Sequence, residues 1–307
     1  MSAFSDKAFD ANQYSSFRPT YPPDFYEKIV DFHAKGKDGQ FGTLLDLGCG
    51  PGEASIPLLG YFKDEVIATD ISSAMIKTAK TNFANALEDL RKKKKEGKKV
   101  QIPKKVTLEL SAGEDLSKVD SGSIDLVVAA ECVHWFQWDK WLTEMVRILK
   151  DNGSLIYFAY CDPVFVGEPK ANEIYEKFVY QNGDYLGPYW EQPGRSRLRK
   201  LVKELNDKVL NDDRFEDVKV RYYNPLGEDS SRDDKMLISR IYSVADFIKY
   251  VNTWSSSHKW NATHPDDAED AGELFFGKLS KELNWTRETQ IHITWKTVYV
   301  FARKHAD

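Results

Sequence analysis

The sequence predicts an α/β fold: a doubly wound, mostly parallel sheet of seven strands, with a helical cap formed by insertions after the fifth and sixth strands. Three observations point there. The apolar run Leu44-Leu45-Asp46-Leu47 stops at three glycines in alternate positions, Gly48, Gly50 and Gly52. Apolar runs then alternate with helix-like stretches in a βαβ rhythm. The runs are also continuous, as in Ile124-Asp125-Leu126-Val127-Val128-Ala129-Ala130, which marks strands covered on both faces.

Residues 1–23 are polar and aromatic, end in a Pro-rich turn and read as an N-terminal lid. A helix is expected from Asp24. Strands are expected at 43–48, 66–70, 105–110, 124–130 and 154–160, with helices near 53–61, 73–90 and 138–149. Asp151-Asn152-Gly153 makes the turn into the fifth strand. Residues 24–161 thus form a nucleotide-binding core. Regularity fails over 162–212, where helical patches flank a Pro- and Gly-punctuated aromatic segment around Tyr189. The last two strands are expected at 215–223 and 290–302, with two Trp-rich amphipathic helices across 243–283. The insertions 162–212 and 243–283 are read as a cap over the carboxyl ends of the strands, where open α/β sheets place their ligands. No linker divides 1–307, so a single domain is expected.

Composition narrows the class. A hydrophobic share of 41%, a charged share of 30% and a net charge of −5 describe a globular protein, not a nucleic-acid binder. The sequence contains no membrane-length apolar run and no signal-peptide pattern at its start, so a cytoplasmic location is expected. Cys49, Cys132 and Cys161 sit in or beside expected strands without metal-ligand spacing; reduced thiols and no metal are expected. The basic run from Arg91 to Lys99 reads as a solvated helix end, or else as a phosphate or lipid patch. A monomer is expected.

The glycine turn narrows the ligand. Its spacing, G-x-G-x-G, is one residue tighter than the dinucleotide fingerprint. Glu53 sits where a pyrophosphate needs a positive helix end, so a cofactor without phosphates fits better. Asp70 ends the second strand 18 residues after Gly52, placed to grip the two hydroxyls of a ribose or else to cap the helix from Ser73. Ile71 and Met75 pack on the ribose and adenine faces or in the core.

At these residues the chain resembles the class I S-adenosylmethionine-dependent methyltransferases. The resemblance rests on Asp46-Leu47-Gly48-Cys49-Gly50-Pro51-Gly52, on Asp70, and on Ile124–Ala130 leading into Glu131-Cys132-Val133-His134-Trp135-Phe136. Further blocks resemble the fungal trans-aconitate methyltransferases and their small-molecule (cantharidin-type) relatives: Tyr14 to Pro22, Gly187 to Leu198, and Thr253-Trp254-Ser255 with His258 and Trp260. Together they span nearly the whole chain. The resemblance implies S-adenosylmethionine as cofactor, held by Gly48, Cys49 and Gly50, with Asp46 on the methionine amino group and Glu131 nearby. It makes Ser111-Ala112-Gly113-Glu114-Asp115 the adenine-binding turn. The usual acid is Ala112 here, so Glu114, Asp115 or a backbone carbonyl takes the adenine amino group. Tyr14 and Arg18 look like a lid, the guanidinium pairing with the cofactor carboxylate.

The acceptor side is expected to use Trp135, Tyr189 and Trp190 as walls, Arg195 and Arg197 as anion holders, and Trp254 and His258 beyond them. His134 is either a general base or a hydrogen-bond donor to substrate. The expected reaction is methyl-ester formation on a carboxylate of a small di- or tricarboxylic acid, which needs no base because the carboxylate is already ionised at pH 7. Three alternatives stay open: methylation of a phenol or quinone with His134 as base, methylation of a macromolecule, and a non-catalytic cofactor-binding module.

Overall fold

The computed structural model describes residues 16–35, 41–227 and 236–306. The sheet has eight strands: β1 Thr43–Leu47, β2 Glu65–Asp70, β3 Lys105–Leu110, β4 Ile124–Ala130, β5 Leu149–Phe165, β6 Phe215–Tyr223, β7 Ser239–Ser243 and β8 Gln290–Lys304. Their order is β3-β2-β1-β4-β5-β8-β6, with β7 also on β8. β1 to β5 are mutually parallel, while β8 runs antiparallel to β5, β6 and β7. The order reverses between β1 and β4, and that switch point is where a ligand crevice opens.

Alternation within the strands explains the two layers. In β4, Leu126 and Val128 face one core while Val127 and Ala129 face the other; β5 repeats this with Ile156 and Phe158 against Leu155 and Tyr157. Helix α1 Pro23–Lys35 and helix α2 Ser73–Lys95 cover one face, and α3 Trp138–Ile148 the other. Ser72 caps α2, its hydroxyl accepting the Met75 N–H at 3.3 Å.

Several expected boundaries move. The helix expected at 53–61 is a turn followed by a 3₁₀ helix over Ile56–Tyr61, in which Pro57 removes an early backbone donor. The fifth strand runs well past 154–160. Its Asp151-Asn152-Gly153 turn lies inside β5, with Asn152 at φ 58°, and Pro163 is accommodated where the β5–β8 register shifts. The basic run is the exposed end of α2, where Lys92 meets Glu88 and Asp89.

The cap has more pieces than expected. Its first part contains α4 Pro169–Glu176, a π turn over Lys177–Gln181, a 3₁₀ turn over Gly187–Tyr189, α5 Gly194–Arg199 and α6 Lys203–Leu210. The second has three helices rather than two: α7 Val244–Asn252, α8 Ser255–Thr263 and α9 Ala271–Leu283, the last capped by Asp270. The two parts meet through ring contacts, Phe178 stacking on Phe275 at 4.9 Å and Tyr175 edge-on to Trp254 at 6.0 Å.

Candidate active site

At the carboxyl ends of β1, β2 and β4 the chain encloses a cavity of about 760 Å³. Its floor is the glycine turn. Gly48 and Gly50 have φ of 62° and 53°, the left-handed region where side chains are strained. A Cβ at Gly50 would meet nothing within 4 Å, so bare backbone faces open space. A Cβ at Gly48 would instead run into Cys132.

Asp70 stands beside this turn. Its Oδ2 accepts the Gly50 N–H at 2.9 Å and its Oδ1 the Ser72 N–H at 2.8 Å. A carboxylate accepts about four hydrogen bonds in all, so the group keeps capacity for a ligand hydroxyl beside these backbone donors. Burial pushes this carboxyl above the usual range, while the N–H groups of Ser72 and Gly50 pull it back. Ile71, half-exposed, and Met75, buried, line the same cavity.

Asp46 lies two residues before Gly48. It does not line the cavity; it is fully buried, and neither carboxylate oxygen has a hydrogen-bond partner among the described residues. Burial pushes its carboxyl up to about 7, Asp70 adding to the effect and the neighbouring Ser55 hydroxyl opposing it. A buried, orphaned carboxylate behind a glycine cradle is what a cationic ammonium would satisfy.

Other expected cofactor residues divide. Ser111 and Gly113 line the cavity, whereas Glu114 accepts the Gln137 N–H and Asp115 takes the Ser117 hydroxyl at 2.8 Å. Neither acid lines the cavity: Glu114 is held at the start of α3 and Asp115 by its own turn. Cys49 likewise turns its side chain into the core, where burial raises its thiol. Tyr14 lies outside the described residues. Arg18 lines the cavity, but its Nε and Nη2 donate to the Thr253 hydroxyl and carbonyl at 2.9 and 3.0 Å. It therefore ties the chain start to the cap.

The chain leaves β4 through Glu131, which has φ 56° and is rare for a residue with a Cβ. Glu131 lines the cavity, and its Oε1 accepts the Tyr160 N–H. Burial pushes its carboxyl up to about 8, against the Tyr160 N–H and the charges of Arg18 and Arg195. His134 also lines the cavity. It is buried, its Nδ1 has no hydrogen-bond partner among the described residues, and burial together with Arg195 and Arg197 pushes it down to about 3. At neutral pH it is an uncharged imidazole too weakly basic to serve as a base.

Trp135, Trp190, Trp254 and Leu198 supply apolar walls. Arg195 lies among them, its guanidinium 4.0 Å from the Trp190 ring centre. Its Nη2 donates to Asp162 at 2.6 Å and to the Tyr180 hydroxyl, while Nη1 makes no hydrogen bond among the described residues. Burial pushes the Asp162 carboxyl up, but Arg195 and Arg199 outweigh it and hold it below the usual range.

Three expected acceptor residues do not reach the cavity. Arg197 donates to the carbonyls of His134 and Phe136 at 3.3 and 3.1 Å and lies over Trp138, fixing the turn after β4. Tyr189 packs edge-on to His264 at 6.0 Å, and His258 lies off the lining. Sequence reasoning also missed the ion pair between Lys259 and Glu191, 2.6 Å apart, which joins the two cap insertions at the cavity. Ser255 and Lys259, one turn apart on α8, both line the cavity, and that i, i+4 spacing was the available signal.

Comparison with known proteins agrees with this geometry. A family described as a methyltransferase domain matches residues 45–157. A Saccharomyces cerevisiae protein named for S-adenosylmethionine-dependent methyltransferase activity is 30% identical, the match covering 98% of both chains. A methyltransferase-named protein of Dictyostelium discoideum is 29% identical over 82% of this chain and 78% of its own. A structure from Anaeromyxobacter dehalogenans described as a type II methyltransferase shares the fold, with a TM-score of 0.61 at 20% identity over 95% of this chain and 100% of that one. With a relative of such identity matching end to end, and a glycine cradle, Asp70 and an orphaned Asp46 fitting the cofactor, the chain belongs to the class I S-adenosylmethionine-dependent methyltransferases.

Proposed function

We propose that this methyltransferase esterifies a carboxylate of a small organic acid, of the di- or tricarboxylic type exemplified by trans-aconitate. Asp70 would hold the cofactor's ribose, Asp46 behind the glycine cradle would offer a counter-charge to its ammonium group, and Gly48 and Gly50 would allow close approach. When bound, S-adenosylmethionine supplies an electrophilic methyl group and carries its own leaving group.

The observation that carries the acceptor class is Arg195. It lies on the cavity wall, braced by Asp162, with Nη1 unengaged among the described residues. An arginine so held offers a fixed N–H to an anion at little entropic cost. His134 supports the same reading, since a pocket whose histidine is held neutral suits an acceptor that arrives ionised. The protein's work is then positioning and drying: the tryptophan walls exclude water, and the Glu191–Lys259 pair holds the cap parts together.

A second reading has its own support. The ionised form of Glu131, whose carboxyl is pushed up to about 8, would accept a proton from a phenolic acceptor. Incubating purified protein and S-adenosylmethionine with matched panels of carboxylic acids and phenols, with products identified by mass spectrometry, separates the two. Methylated phenols without methyl esters would overturn the carboxylate reading.

A further inference from the structure

Glu131 combines features that a purely structural carboxylate does not need. It lines the cavity, adopts a left-handed backbone, and is half-buried with only Oε1 engaged; Oε2 has no hydrogen-bond partner among the described residues. Backbone strain of this kind persists at sites where the surrounding structure demands it. The titratable and charged groups that act on Glu131 come from several elements. They are Arg18 of the N-terminal segment, Arg195 of α5, the adjoining Cys132 thiol and the Cys161 thiol of β5. Its electrostatic neighbours thus include the two cavity arginines, Arg18 and Arg195.

An anionic acceptor next to an ionised Glu131 would place two carboxylates in one dry site. Two such groups cannot both stay charged, and one takes up a proton. We propose, resting on the carboxylate reading above, that Glu131 binds the acceptor as a carboxylic acid: Oε2–H donates a hydrogen bond to the acceptor oxygen that does not receive the methyl group, while Arg195 holds the acceptor's charge. The proton stays on Glu131 throughout. The only bonds that change are the new carbon–oxygen bond and the broken carbon–sulfur bond. Burial favours the required form, pushing this carboxyl up to about 8.

The test is acceptor kinetics against pH for wild type and Glu131→Gln, the amide supplying a hydrogen-bond donor that does not titrate. For the wild type, the acceptor KM rises about tenfold per pH unit above about 8, and in Glu131→Gln this alkaline rise is absent. Calorimetry of the wild type holding S-adenosylhomocysteine, run in buffers of different ionisation enthalpy, gives the proton count directly. It should show uptake approaching one proton per acceptor bound near pH 9, and this decides the matter even if the variant fails to fold.

Loss of kcat in Glu131→Gln at every pH with KM unchanged would make Glu131 a general base and overturn the proposal. Weakened S-adenosylmethionine affinity in the variant would assign Glu131 to the cofactor and overturn it equally, as would the absence of proton uptake. If no carboxylic acid is turned over, the carboxylate reading falls and this inference with it. If one is turned over and Arg195→Lys raises its KM, yet the wild type shows neither pH effect nor proton uptake, only this inference falls.

Discussion

Arg195 donates to Asp162 across 2.6 Å, and Asp162 is shared with Arg199 at 3.2 Å. Both arginines sit on α5, four residues apart and so on one helix face, while Asp162 comes from the far end of β5. The strand end therefore fixes where the cavity arginine points. Arg199 extends the chain of charges to Glu176 on α4 at 2.9 Å.

Replacing Arg195 by Ala should raise the acceptor KM about ten- to a hundredfold, the equivalent of roughly 1.5–3 kcal/mol for a lost charge-assisted hydrogen bond. Asp162→Asn should raise it too, though less, and should lower stability by about 3 kcal/mol because two arginines lose one buried counter-charge. Steady-state kinetics with thermal melting checks both. A KM unchanged in Arg195→Ala would remove this residue from the acceptor site.

Asp70→Ala should weaken S-adenosylmethionine binding by roughly 2–4 kcal/mol, since two hydrogen bonds donated to a charged acceptor are lost. The Gly50 and Ser72 N–H groups also lose their acceptor, so a small drop in melting temperature is expected. Isothermal titration should show the affinity loss with the sheet intact by circular dichroism.

Asp46 should make the cofactor-free protein less stable as pH rises. Its folded carboxyl is held up at about 7 against an ordinary value of 3.8. Between those values the folded state binds more protons than the unfolded chain, so stability is fullest below pH 4 and falls as pH climbs through 7. Asp46→Asn removes this loss and should stabilise the cofactor-free protein at pH 8 by on the order of 2–4 kcal/mol, while impairing cofactor binding. Denaturant melts at pH 5 and pH 8 check the sign.

Arg18→Ala should weaken acceptor and cofactor binding together, because the residue lines the cavity and also anchors to Thr253. Arg18→Lys should rescue little. A lysine lacks the planar fork that reaches hydroxyl and carbonyl at once. Kinetics of both variants, with equal recovery by lysine counting against this role, is the check.

His134→Asn should keep kcat within about tenfold on a carboxylic acid, as a buried neutral imidazole held near 3 does no proton transfer. Abolished turnover in that variant would instead favour an acceptor that must be deprotonated.

The amino-acid sequence by itself determined the sheet, the glycine cradle and much of the cavity wall. Those features follow from local rules: continuous apolar runs make doubly covered strands, and glycines at alternate positions make a turn that only bare backbone can form. Asp70, Ile71, Met75, Glu131, Trp135, Trp190, Arg195 and Trp254, all named from the sequence, line the cavity. Tertiary structure alone decided the rest. Arg195 and Arg197 look equivalent in sequence, but they lie about 200° apart around α5, so one lines the cavity and the other braces the turn after β4. Glu114, Asp115 and Cys49 are close in sequence to cavity residues, yet a hydrogen bond from Gln137, a local one from Ser117 and core packing respectively turn them away. The values of Asp46, Glu131 and His134 likewise come from burial among residues distant in sequence. The low-dielectric interior that shifts them exists only once β1, β4 and the cap have closed around one space.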